Sequence, residues 1–210
     1  MDGASDRYFV QLLEALLGIM LDPRPKVQTA CCSALCTLVE VAGPDPVTPY
    51  LPQLMTYVQQ AFSLYGVKST LILVDTIGTI ADVVGDALAD RSLVALYFPK
   101  LMEKFVELED DDMRLFPILE CLTSVVAASG IECQPYAHGL YFRCLRIIGN
   151  TMAANAIADA KVTFSIEFIC FCPSYLYPYH LLFSTPHFLL FVCHQPINFL
   201  KLDYSTYNPL

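Results

Sequence analysis

Cysteines are the first residues in this sequence to consider as metal ligands. The chain has 210 residues and nine cysteines, with close groups at Cys31, Cys32 and Cys36 and at Cys170 and Cys172. Zinc sites combine such pairs with further cysteines or histidines at regular spacing, and none of the four histidines stands at that spacing. Cysteines within apolar helical patterns are typical of buried side chains in a reducing compartment. We therefore expect no metal, no other cofactor and no disulfide framework.

Sequence patterns typical of a catalytic site are missing. The sequence has no nucleophile elbow, phosphate-binding loop or paired acid and base. His138 stands at a predicted helix start without an obvious partner. The acidic run over residues 107–112 falls in a predicted turn, where carboxylates are solvated and favour the start of the next helix. We therefore predict that the protein is not an enzyme.

A stripe of acidic and hydroxyl side chains is the stronger candidate for function. Asp75, Thr79 and Asp82 stand at positions i, i+4 and i+7, which share one face of a helix. Such a face could be the solvated side of amphipathic helices, but its acids are accompanied by no base, which favours a cation-binding surface. The stripe and its counterparts in neighbouring helices form what we call the acidic panel: Glu40, Asp75, Asp82 and Glu120, with Thr37 and Thr79 beside them.

The elements that would position this panel are helices arranged as hairpins. Apolar residues recur at helical spacing through most of the first 160 residues, and prolines or glycines end each run. The predicted helices span residues 8–21, 25–42, 49–65, 67–84, 93–108, 113–129 and 135–158.

Glycines reveal an internal repeat. Gly43, Gly85 and Gly130 close every second helix and lie 42 and 45 residues apart. The segments 50–54 and 97–101 of the first helices also match. A two-helix unit of about 40–47 residues is the period of HEAT repeats. The sequence therefore predicts an all-α fold, a HEAT-repeat α-solenoid of about three and a half hairpins in a domain over residues 1–160.

Charge narrows the choice of partners. The chain has 21 acidic and 12 basic residues, for a net charge of -9. Nucleic-acid binding requires a basic surface, so nucleic acid is not an expected partner. A cationic segment of another protein is better suited to this charge.

Three segments carry a resemblance to a known family. Residues 24–35, 71–82 and 115–122 resemble the transportins, nuclear import receptors of the importin-beta family. The resemblance implies a receptor present in cytoplasm and nucleus. It implies that cargo proteins with basic, proline-tyrosine-type nuclear localisation signals bind on a concave surface. The panel residues Glu40, Asp75, Asp82, Glu120, Thr37 and Thr79 match family positions that contact the basic part of the signal.

The resemblance extends over residues 7–150 and corresponds to the central, cargo-binding repeats of the family. The family's apolar pocket for the proline-tyrosine pair lies in repeats that this sequence does not match. Full-length members also bind Ran GTPase through an N-terminal arch. We expect the main Ran site to be absent from this chain.

The last fifty residues change in character. Residues 161–210 are apolar and aromatic, lose the family match and lack helical periodicity, so we expect an irregular tail that resembles translated non-coding sequence. A membrane segment is the competing interpretation. A spanning helix needs about 20 uninterrupted apolar residues, whereas prolines at 173, 178, 186 and 196 divide this stretch. Membrane association is therefore not expected.

Two alternatives to cargo binding stay open. The chain could be a HEAT-repeat scaffold for protein complex assembly, or a truncated product without function. Acids confined to the turns between helices would favour scaffolding, whereas acids on the second-helix face favour an extended basic peptide. The panel lies on the helix face, so we prefer the receptor interpretation.

Overall fold

The computed structural model describes residues 3–153. The predicted tail over residues 161–210 and the last residues of the predicted solenoid domain lie outside these described residues. The same holds for the end of the last predicted helix, beyond residue 153.

Long helices account for most of the described chain, and residues 3–153 contain no strand. Most of their bounds lie within two residues of those predicted from the periodicity, but the first helix begins at Gly3, five residues before its predicted start. The helices are α1 (Gly3–Met20), α2 (Pro25–Ala42), the one-turn α3 (Pro44–Val47), α4 (Leu51–Leu64), α5 (Val67–Val84), α6 (Arg91–Glu107), α7 (Leu115–Ser129) and α8 (Gln134–Ala153).

The repeat glycines end the second helices because of their backbone conformation. Gly43, Gly85 and Gly130 have φ angles of 76°, 52° and 53°. Side-chain-bearing residues rarely adopt such positive values, whereas glycine adopts them at little cost. The amide of each glycine donates back to a carbonyl in the last turn of its helix.

Alanine at one repeat glycine should destabilise the fold. We expect Gly85→Ala to lower the free energy of unfolding by about 1 kcal/mol or more, because its φ of 52° strains an alanine. Gly66→Ala is the matched control, since Gly66 precedes α5 with a φ of -76° and open space around it. Chemical denaturation of both variants measures the difference. Equal losses would contradict the assigned role of Gly85.

The helices form two rows that enclose the core. The second helices α2, α5 and α7 pack side by side, and the first helices α1, α4 and α6 form the other row. Tyr65, after α4, donates to the carbonyl of Met20 in the first hairpin at 2.6 Å. This arrangement confirms the predicted HEAT-repeat solenoid.

One apolar stretch of the fold is long enough to cross a membrane by length and composition alone. It runs from Leu115 to Asn150, and half of its most apolar 18-residue segment is buried inside the protein. The positive φ of Gly130 separates α7 from α8 within it. Burial of this kind is typical of core helices in a stacked-hairpin fold.

Candidate functional site

The acidic panel is built on three adjacent helices. Glu40 lies on α2, Asp75 and Asp82 lie on α5, and Glu120 lies on α7. Because α5 packs against both α2 and α7, the three contributions are neighbours in the second-helix row.

Two close contacts set the spacing within this row. The Cys36 thiol on α2 donates to the Thr76 hydroxyl on α5 at 3.4 Å. A Cβ atom placed at Gly78 on α5 would stand 3.4 Å from the Cα atom of Cys121 on α7. That distance is an ordinary van der Waals contact, so α5 and α7 lie close together at Gly78 and Cys121.

The panel carboxylates are exposed to solvent. Glu40, Asp75, Asp82 and Glu120 are all exposed, as is Thr37, and Thr79 is half-buried. The ion pairs of the described residues all involve other acids. The four carboxylates are therefore available to a cation from outside the described chain.

The carboxylates of the acidic panel raise the pKa values of two nearby cysteines, in addition to the effect of burial. Burial raises the pKa of Cys121, and the carboxylates of Asp75, Asp82 and Glu120 raise it further. Burial also raises the pKa of Cys36, and Asp75 and Glu40 add to the rise, while hydrogen bonding with the hydroxyls of Thr76 and Thr79 opposes it. Both cysteines disfavour the thiolate, first because they are buried and second because carboxylates lie nearby.

The panel hydroxyls present acceptors. Thr37 donates its hydroxyl proton to the carbonyl of Ser33 at 3.3 Å, and Thr79 donates to the carbonyl of Asp75 at 3.1 Å. Their oxygens keep free lone pairs, and ionised carboxylates only accept. The panel therefore suits a ligand that supplies hydrogen-bond donors, above all guanidinium or ammonium groups.

Metal binding has no support in the described part of the chain. No group of three or more histidine, cysteine or acidic side chains there is arranged to hold a metal ion. The cysteines at 170 and 172 lie outside the described residues.

The acidic run in the turn between α6 and α7 behaves differently from the predicted solvated cluster. Asp110 accepts hydrogen bonds from Arg146 at 2.7 and 3.0 Å and from Asn150 at 2.9 Å. Asp112 pairs with Arg114 at the start of α7. Burial raises the pKa of Asp110, but the arginine hydrogen bond and charge outweigh it and hold that pKa below its usual range.

A buried arginine on α8, Arg143, forms hydrogen bonds with the end of α6, next to this turn. The Arg143 side chain is 7% exposed, and its guanidinium lies 4.3 Å from the centre of the Phe105 ring. It donates to the carbonyls of Phe105 and Leu108 at the end of α6, which have no partner within the helix. The sequence pattern did not predict that Arg143 is buried. It predicted a helix at this position, in which Arg143 is one polar residue among apolar ones.

No protein-family model matches the chain, but individual relatives do. Importin subunit beta-2 of Schizosaccharomyces pombe is 44% identical over 160 residues, which is 76% of this chain and 18% of the relative. Human transportin-1 is 40% identical over 156 residues, or 74% of this chain and 17% of the relative. Transportin of Dictyostelium discoideum is 35% identical over 148 residues, or 70% of this chain and 16% of the relative.

These relatives are named either importin subunit beta-2 or transportin and come from three different organisms. The chain spans less than a fifth of their length, so the match describes a segment of a longer kind of protein. Identity at this level over about three quarters of the chain agrees with the stacked helical hairpins described above. Over about three quarters of its length, the chain is similar to a segment of the proteins named transportin or importin subunit beta-2.

Proposed function

We propose that the acidic panel binds the basic part of proline-tyrosine-type nuclear localisation signals in cargo proteins. The function would lie in the solenoid, residues 1–160, and the chain would work between cytoplasm and nucleus. The observation that carries the proposal is the set of exposed carboxylates on three adjacent second helices, which form no ion pair within residues 3–153. The names of the relatives, transportin and importin, agree with a transport receptor.

The panel chemistry supports a peptide ligand with many donors. The carboxylates, together with threonine hydroxyls that already donate their protons to backbone carbonyls, form a surface of hydrogen-bond acceptors. This surface crosses α2, α5 and α7. An extended basic segment lying across the second-helix row would meet this surface along its length. We place the panel on the concave side of the solenoid, because solenoids usually bind partners there.

A scaffold for complex assembly is the second candidate function. Peptide binding and scaffolding differ in where acids without an ion-pair partner are expected. Asp110 and Asp112 in the turn between α6 and α7 are paired with arginines. Asp22 in the turn between α1 and α2 is paired with Arg24 in the same way. Asp22, Asp110 and Asp112 are thus paired within the described chain, whereas the four panel acids have no ion-pair partner there. This difference favours the peptide-binding surface over a loop-based scaffold.

Titration of a basic proline-tyrosine signal peptide into the full chain tests the proposal. We expect weak binding, with a Kd of about 10 μM to 1 mM, because exposed ion pairs contribute little each. Binding should fall steeply between low and high salt, because counterions screen exposed charges. The control peptide has the same length and replaces each arginine and lysine by glutamine. Equal binding of the two peptides would contradict the proposal.

A further inference from the structure

Two contacts between helices fix the level of each panel acid along the second-helix row. The Cys36 thiol on α2 forms hydrogen bonds with the hydroxyls of Thr76 and Thr79 on α5, so position 36 is level with positions 76–79. Gly78 on α5 faces Cys121 on α7, so these two positions are level as well. The second helices run in the same direction, because each follows a first helix in a repeated hairpin.

The first pair of acids lies between α2 and α5. Glu40 is four residues beyond Cys36, and the same advance along α5 leads from positions 76–79 to positions 80–83. Asp82 is the exposed acid within that range. Glu40 and Asp82 therefore stand side by side on neighbouring helices.

The second pair lies between α5 and α7, nearer the start of the helices. Glu120 is one residue before Cys121, so it is level with position 77 of α5. That level is two residues from Asp75 and five from Asp82. Glu120 therefore pairs with Asp75, and the four acids form two pairs set diagonally across α5.

The distance between the two pairs follows from helix geometry. Asp75 and Asp82 are seven residues apart on α5, which is about 10 Å along the axis at 1.5 Å per residue. The pairs lie on opposite sides of α5, so their centres are also displaced sideways by about one helix spacing, roughly 8–10 Å. The diagonal between the centres is therefore about 12–14 Å.

An extended peptide matches this diagonal at one spacing of its side chains. Its backbone advances about 3.3 Å per residue, so four residues span about 13 Å. Residues at i and i+4 also point to the same side of an extended chain, whereas residues at i and i+3 point to opposite sides. Spacings of two and six residues keep the same side but span about 7 Å and about 20 Å.

We propose that the acidic panel selects extended peptides with two basic residues at i and i+4, one held by Glu40 with Asp82 and the other by Asp75 with Glu120. The proposal rests on the peptide-binding function proposed above and specifies which basic segments that site prefers. Arginine suits each pair better than lysine, because the donors of its planar guanidinium can reach two carboxylates at once.

The panel threonines fit the stretch of peptide between the two basic residues. Thr37 is one residue beyond Cys36, and Thr79 lies between Asp75 and Asp82 on α5, so both hydroxyls stand between the levels of the two pairs. Their protons are donated to backbone carbonyls, so their oxygens are left as acceptors. The amide groups of the intervening peptide residues are suitable donors.

A set of peptides with two arginines tests the spacing. The peptides share one length, one composition and the proline-tyrosine pair, and they place the arginines at i and i+2, i+3, i+4 or i+6. In NMR titrations of the full chain at low salt, we expect the i+4 peptide to bind about threefold or more tightly than each of the others. Only this peptide brings both side chains to both pairs. Equal affinities would overturn the proposal.

A further peptide, with glutamine in place of both arginines, separates this proposal from the function on which it rests. If all four spacings bind equally and better than the glutamine peptide, the panel binds basic peptides regardless of spacing, and only the selectivity is wrong. If no arginine peptide binds better than the glutamine peptide, the proposed function and the selectivity are both wrong.

Removing one pair should abolish the preference. The variant Glu40→Gln with Asp82→Asn neutralises two exposed acids and leaves only the second pair, so the i+4 and i+3 peptides should bind with equal affinity. The matched control, Glu14→Gln with Asp45→Asn, removes the same charge from exposed positions outside the panel and should keep the preference. A preference for i+4 that persists without the first pair would contradict the arrangement.

Discussion

Replacing Arg143 by methionine should lower the free energy of unfolding by about 2–4 kcal/mol, whereas Arg146→Met should cost about 1 kcal/mol or less. Both arginines lie on α8 and both interact with Asp110. They differ in burial, since the Arg143 side chain is 7% exposed and that of Arg146 is 56% exposed.

The expected loss at Arg143 comes from the end of α6. The guanidinium donates to the carbonyls of Phe105 and Leu108, and methionine would leave these acceptors without their donor beneath α8. A buried acceptor that loses its partner costs about 1–3 kcal/mol. Methionine retains most of the apolar contact with Phe105, so the variant isolates the lost hydrogen bonds and charge.

Chemical denaturation of the two variants measures this contrast. Amide hydrogen exchange should in addition show faster exchange in α8 and at the end of α6 for Arg143→Met, with α2 and α5 unaffected. If Arg143→Met and Arg146→Met have the same unfolding midpoint as the original chain, Arg143 does not hold α8 to α6.

Reversing two panel charges should weaken the binding of a basic signal peptide by about tenfold to a hundredfold. In the variant Asp75→Lys with Asp82→Lys, two attractive contacts are lost and two repulsive ones are introduced on the same helix. Both side chains are exposed, so the fold should be unchanged. Fluorescence anisotropy with a labelled peptide at low salt measures the difference.

The control for this variant changes the net charge by the same amount elsewhere. Glu14→Lys with Asp45→Lys reverses two exposed acids on α1 and α3, outside the panel. Long-range steering depends on total charge and would weaken binding equally in both variants. We expect the control to lose less than threefold affinity, roughly the effect of net charge alone. Equal losses in the two variants would assign the binding to general charge and contradict the role of the panel.

Helix positions were predictable because local signals and tertiary packing agree. In the sequence pattern and in the structure alike, α2 begins at Pro25 and ends before Gly43. Gly66 and Gly85 flank α5 in the same way. The 42-residue period of the glycines also predicted that the second helices stack, which placed the panel acids on neighbouring helices. Exposure of these acids followed from their position opposite the apolar stripe of each helix.

Contacts between distant segments were not predictable from the same signals. Asp110 and Arg146 are 36 residues apart and meet only because α8 folds back over the turn between α6 and α7. The acidic run therefore suggested a solvated turn, although one of its members is bound by α8. Likewise, Gly78 on α5 faces Cys121 on α7, a pairing that the periodicity does not specify.

Carboxyl footprinting with and without a basic proline-tyrosine signal peptide tests the central claim most directly. Carbodiimide coupling to an amine labels exposed carboxylates, and mass spectrometry reads each one separately. We predict that peptide protects Glu40, Asp75, Asp82 and Glu120, while the exposed acids Glu14, Asp45 and Asp86 keep their labelling. Protection spread evenly over all exposed acids, or confined to acids outside the panel, would contradict the account.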